Sequence, residues 1–110
     1  MISLKPNNIN SLGYGTAPRL VMIDPRLSIE SKAFYMYLSS HTGGGSGAKI
    51  PVEQICQDLN IGRSRYYKHL KPLLNYEYLT ISRFNSQNGF ECNLFTLNLH
   101  PNLEGWEKNK

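Results

Sequence analysis

Arg63, Arg65, Lys68 and Lys71 stand in one short segment, RSRYYKHLK, that contains no acid. The remaining eight Lys and Arg are matched by eight Asp and Glu, so the formal charge of +4 resides entirely in that segment. A local cationic run interleaved with tyrosine suits nucleic-acid binding. Lysine and arginine neutralise phosphates there, and an arginine can grip a guanine edge through two donors. The competing expectation is plainer, a solvated helix face, because charged side chains are mostly exposed whatever they do.

Other candidate chemistry is sparse. HTGGGSGAKIP, residues 41–51, has the glycine content of a phosphate cradle. A phosphate-binding P-loop needs GxxxxGK[ST] between a strand and a helix, whereas here Ala48 follows Gly47 and Ile50 follows Lys49. The stretch is therefore expected to be a structural joint. The histidines, His41, His69 and His100, and the acids are scattered, with no nucleophile–base pairing. Cys56 and Cys92 lack CxxC spacing or a Cys/His ligand cluster and are expected to serve as small buried hydrophobes rather than as a disulfide. No catalytic, cofactor-binding or metal-binding residue is expected.

At 110 residues and 40% hydrophobic content, the chain has room for one domain with one modest core. No apolar run approaches the ~20 residues that span a bilayer. MISLKPNNINSLGYG lacks the apolar stretch of a signal peptide. A cytoplasmic protein with no membrane partner is the expectation, arranged as a lead (1–13), a domain (14–99) and a polar tail or linker (100–110).

Local signals place three helices. Ser28 can cap the first, whose apolar stripe is read as Ile29, Ala33, Met36 and Tyr37, widened by Phe34 and Leu38, with Gly43 as its stop. The second begins near Pro51, and Val52, Ile55, Cys56 and Leu59 form its inner face. Asn60-Ile61-Gly62 is a turn, and a third helix starts at Arg63. Tyr66, Leu70, Leu73 and Leu74 face inward on that helix. At 100° per residue, Ser64, Lys68 and Lys71 then point outward with Arg65 and Tyr67 on the flanks. Pro72 is expected to kink or break the helix near Lys71. Two strand-like runs follow, YLTISRF (78–84) and FECNLFTLNL (90–99), joined by the turn residues NSQNG; Ala48-Lys49-Ile50 is a short third strand.

The resulting order, helix, joint, helix, turn, cationic helix and hairpin, is that of an α+β winged helix-turn-helix. LNIGRSRYYKHLKPLLNYEYLTISR resembles the helix-turn-helix core pattern L-x-[VI]-S-x-x-x-[VF]-x-x-x-x-x-x-L-x-x-x-G-[YL]-[IL]-x-x-x-R, with Leu59, Ile61, Tyr66, Leu73, Tyr78, Leu79 and Arg83 in its positions. Upstream, YGTAPRLVMIDPRLSIESKAFYMYL is similar to the lead of winged-helix proteins of Gram-positive bacteria, plasmids and phages, among them N-terminal domains of replication initiators and replisome organisers. The resemblance spans about Tyr14 to Leu97 and departs at Gly62, where the pattern has Ser, and at Glu77, where it has Gly, so that Asn75 or Tyr76 is expected to turn that corner.

The resemblance implies sequence-specific binding of double-stranded DNA through a recognition helix (63–74) and a wing, in a replication initiator or, alternatively, a transcriptional regulator. Carried over by position, the DNA-facing residues are Arg63, Ser64, Arg65, Tyr67, Lys68 and Lys71, with Arg83, Gln87 and Asn88 on the wing. Tyr67 is equally consistent with packing, and His69 is expected to be structural. Such initiators act as homodimers and meet replication proteins. Tyr35, Tyr37 and Trp106 are candidates for a dimer or partner surface, the route by which the domain would instead be a protein-interaction module.

Overall fold

The computed structural model describes residues 8–43, 45, 47–85 and 91–106. Within them four helices and three strands follow one another along the chain: α1 (Arg19–Ile23), α2 (Ile29–Thr42), β1 (Gly47–Ile50), α3 (Val52–Leu59), α4 (Arg63–Asn75), β2 (Leu79–Asn85) and β3 (Glu91–Leu97). The strands form one antiparallel sheet in the order β1-β3-β2. The one-turn helix α1 lies in a stretch where no helix was expected. The expected NSQNG hairpin tip, with Gln87 and Asn88, falls outside the described residues.

Helix α2 starts where expected. The Ser28 hydroxyl accepts the Ser31 N–H at 3.0 Å, satisfying one free donor of the first turn. It ends with Gly43 in the left-handed region (φ 59°), a conformation glycine adopts without a Cβ clash. The buried face of the helix differs from the expected stripe. Ile29 is 81% exposed and Ala33 is exposed, whereas Ser31, Phe34, Tyr35, Leu38 and Ser39 are buried. These five recur at i, i+3, i+4, i+7 and i+8; Phe34 and Leu38, expected at the margin of the stripe, are central to it, and Tyr37 packs against the core, so the period was right and the phase shifted. The two serines are tolerated inside because each hydroxyl is spent on a carbonyl, Ser31 on His69 and Ser39 on Thr16. Gly15 lies against this end of α2, where a Cβ would overlap the Ser39 carbonyl.

Helix α3 buries Ile55 and packs Val52, Cys56 and Leu59 against the core, as its spacing requires. Pro51 is its N-cap rather than its first residue. Cys56 is a free, half-buried thiol, and the Cys92 side chain is outside the described residues. At the far end Asn60 takes a left-handed conformation (φ 56°), and the Ile61 N–H reaches the Cys56 carbonyl at 3.0 Å. That tight turn aims α4 away from α3 within three residues.

Helix α4 begins at Arg63 as expected, but it does not break near Lys71 and runs through Pro72 to Asn75. The proline removes only the donor to the Lys68 carbonyl, and Lys68 is on the exposed face, where water can replace it. On either side of the proline, Leu70 and Leu73 anchor the helix in the core. The chain then turns at Glu77 (φ 62°), not at Asn75 or Tyr76. The Tyr78 N–H bonds the Leu73 carbonyl at 2.9 Å, closing a helix end that glycine usually makes. Replacing Glu77 with Gly therefore relieves a left-handed strain of about 1–2 kcal/mol, offset in part by a looser unfolded chain. Chemical denaturation should show Glu77→Gly more stable by roughly 0.5–1 kcal/mol, and an unchanged or lower midpoint would contradict that strain.

The core joins these elements through Phe34, Leu38, Ile50, Ile55, Tyr66, Leu70, Leu73, Leu79 and Phe95. Phe34 and Tyr66 meet with ring centroids 5.5 Å apart, locking α2 against α4. Leu79, Ile81 and Arg83 lie on one face of β2, opposite Leu97, Phe95 and Asn93 of β3. Among the described residues, no helix is long and apolar enough to cross a membrane.

Candidate nucleic-acid interface

The buried side of α4 consists of Tyr66, His69, Leu70 and Leu73. Tyr66 is fully enclosed, and burial pushes its phenol up to about 12, against the opposing effect of the nearby Asn93 side chain. It packs as a neutral aromatic. His69 is also buried, as expected, with its Nε2 3.2 Å from the Glu30 carboxylate.

With the inner face defined, the outer one follows from helical geometry. Ser64, Lys68, Lys71 and Asn75 are all exposed and recur at i, i+4, i+7 and i+11. They form one row about 16 Å long, counting 1.5 Å per residue over eleven steps. Asn75 was not among the sequence candidates. Its angular position marks it, but it lies beyond the expected break at Pro72. Among the described residues, no acid lies within ion-pair reach of Lys68 or Lys71. Near Ser64, the first-turn N–H groups of α4 have no partner within the helix, and Gly62 supplies no side-chain cap. The start of the row is thus polar and donor-rich.

The two arginines occupy the flanks, and both are paired. Arg65 Nη2 lies 3.2 Å from Glu30 Oε2 on α2, and Arg63 Nη2 bridges Glu53 Oε2 on α3. All four side chains are about half exposed or more. The segment is free of acids in sequence but not in space.

Tyr67 is 52% exposed and rests edge-on against Tyr66, with centroids 4.8 Å apart. It stands at the rim of a groove of about 1180 Å³ between α3, the flank of α4 and the sheet, lined also by Glu53, Gln57, Arg63, Ile81 and Arg83. Arg83 is exposed and extends the Leu79–Ile81 row beyond the core toward this groove. The structure therefore brings Ser64, Lys68 and Lys71 together in one row. Arg63 and Tyr67 lie on one flank with Arg83 across the groove, and Arg65 lies on the other flank. Gln87 and Asn88 are outside the described residues.

The aromatics considered for a partner surface are engaged internally. Tyr35 is buried edge-on to Tyr78. The Tyr37 hydroxyl donates to Asp58 Oδ2 at 2.7 Å, tying α2 to α3. Trp106 is partly buried beneath the Arg26 guanidinium.

The remaining polar concentration lies beside the start of β2 and was missed by sequence reasoning. Asp24 is fully buried, receives the Tyr78 hydroxyl at 2.6 Å and is bridged by Arg26 at 2.8 Å. Arg26 also donates to the Asn102 carbonyl at 3.0 Å and stacks 3.9 Å over the Tyr76 ring. Burial alone would raise the Asp24 carboxyl, but the hydrogen bonds from Arg26 and Tyr78 outweigh it and hold the pKa below the ordinary value. This knot ties the α1–α2 connection, the end of α4 and residues 102–106 into one unit. It is structural, and MIDPR carried its only signal, an acid and an arginine two residues apart.

Among the described residues, no three His, Cys, Asp or Glu side chains gather as metal ligands. The chain matches no family model, no curated protein and no solved structure.

Proposed function

We propose that this chain is a winged helix-turn-helix domain that binds double-stranded DNA. In this reading α4 lies in the major groove, α3 supports it, and the β2–β3 hairpin is the wing. One observation carries the proposal: the row Ser64, Lys68, Lys71 and Asn75 projects from a helix whose other side is locked in the core. A helix fits the major groove of B-DNA, and lysines at its exposed face can bind the phosphates that set its register. The order α2-β1-α3-α4-β2-β3 and the sheet order β1-β3-β2 support the same architecture.

Arg65, and Arg63 on the opposite flank of the row, are the candidates for reading base edges, with Arg83 contacting the backbone from the wing. The resemblance in sequence adds a role to this chemistry: the DNA-binding domain of a plasmid or phage replication initiator, acting as a pair of copies on related half-sites. A transcriptional regulator would make the same contacts. Footprinting on repeated elements beside the gene separates these two roles.

Binding to duplex DNA should weaken with salt at a log–log slope of roughly −4 to −5, as about five phosphate contacts require. The Arg65→Ala/Lys68→Ala variant should bind the same duplex much more weakly. A flat salt response, or a double variant that binds like the parent, would show that DNA does not meet this face.

A further inference from the structure

We infer that Glu30 and Glu53 hold Arg65 and Arg63 in reserve, so that these two carboxylates limit the grip of α4 on DNA of unrelated sequence. This rests on the DNA-binding function proposed above. The exposed face contains two kinds of cation. Lys68 and Lys71 stand in the open row and meet a phosphate directly. Arg63 and Arg65 must first leave a carboxylate on a neighbouring helix.

The placement of the acids is specific. Glu30 and Glu53 occupy the first turns of α2 and α3, where a helix favours negative charge. The Glu30 carboxylate lies 3.2 Å from His69 Nε2 as well as from Arg65, which places it at the junction of the packed face of α4 and the arginine flank. Both bridges are solvent-exposed, which makes them weak enough to open when DNA arrives.

The consequence follows from what replaces the carboxylate. At an arbitrary sequence, an arginine that leaves its glutamate gains at most a phosphate, one anion exchanged for another. At a guanine it gains two directed hydrogen bonds in a partly dehydrated groove. The acids therefore subtract more from non-specific than from specific binding. Glu30 and Glu53 are positioning residues that influence specificity without touching DNA.

The test is a pair of mutant cycles read by fluorescence anisotropy on a random-sequence duplex of about 20 base pairs, long enough to cover the helix row with margin. Glu30→Gln should tighten binding roughly two- to five-fold, the equivalent of one exposed ion pair. Arg65→Ala should change the affinity of the parent less than about two-fold, but should abolish the gain when introduced into Glu30→Gln. The Glu53→Gln and Arg63→Ala pair should behave alike, independently of His69. Glu104→Gln removes an exposed carboxylate that bridges no arginine and controls for net charge; it should leave affinity within about two-fold.

If each arginine deletion costs the same with and without its glutamate, or if the glutamine variants bind more weakly, the reserve mechanism is wrong. So too if Glu104→Gln tightens binding as much as they do. Those results leave DNA binding intact. A parent protein that binds no duplex at low salt would overturn both.

Discussion

Lys68→Ala combined with Lys71→Ala should weaken duplex binding roughly thirty-fold at about 0.15 M salt. Each phosphate contact releases close to one counterion, which is worth roughly five- to six-fold at that concentration, and the two lysines are the unpaired cations of the exposed row. The salt slope should become shallower by about two units of log K per log salt. Loss of affinity should be similar for every duplex sequence, because a lysine on a phosphate carries no base information. Stability should hold within about 0.5 kcal/mol, since neither side chain is buried. Lys68→Arg/Lys71→Arg, which keeps both charges, should retain most of the affinity. Unchanged binding by the alanine pair would remove the central observation on which the proposed function stands.

Arg26→Ala should be the most destabilising change outside the apolar core, by about 3 kcal/mol, because it leaves the carboxylate of fully buried Asp24 without its countercharge. The side chain also holds the Asn102 carbonyl and covers Tyr76, so residues 102–106 should lose hydrogen-exchange protection first. Adding Asp24→Asn should recover part of the loss by removing the stranded charge.

The pH dependence has a definite sign. The folded-state pKa of Asp24 lies below the ordinary aspartate value of 3.8, so its contribution is fully present above that value. It is lost as pH falls from about 4 through the depressed folded value. In Arg26→Ala, burial without the guanidinium raises the Asp24 pKa, so the acid-induced loss from this group should shrink or reverse, and lowering the pH should recover part of the variant's deficit. Denaturation midpoints across pH 3 to 7, taken for example at about 0.5-unit steps, would measure both curves. Identical acid limbs for the parent and Arg26→Ala would show that the bridge does not govern this carboxylate.

Much of this molecule was written in short-range pattern. Ser28 and Gly43 bound α2, and Asn60-Ile61-Gly62 separates α3 from α4, because capping and left-handed turns depend on a few adjacent residues. The outward row Ser64, Lys68 and Lys71 was legible for the same reason. Four leucine and tyrosine positions define the inner face of α4, and helical geometry does the rest.

Where local pattern misled, a long-range partner had changed the meaning of a residue. Ser31 and Ser39 look like solvent positions until the His69 and Thr16 carbonyls satisfy them, which turns α2 and leaves Ile29 in water. Pro72 looks like a stop until Leu70 and Leu73 anchor the helix on either side of it, a continuity that adds Asn75 to the row. Glu77, and not the expected Asn75 or Tyr76, turns the corner where the resembled pattern has glycine, because the hydrogen bonds of Glu77 and Tyr78 to the Leu74 and Leu73 carbonyls hold that helix end, at some cost in strain.

By itself, then, the sequence determined most of the elements, the starts of α2 and α4 and the outward row of α4, since periodicity and capping act within one or two turns. Only the tertiary structure decided which of the α4 cations stand open. Arg63 and Arg65 meet carboxylates ten and thirty-five residues away. Charge pairing depends on distance in space, and that distance is set by how α2 and α3 pack around α4.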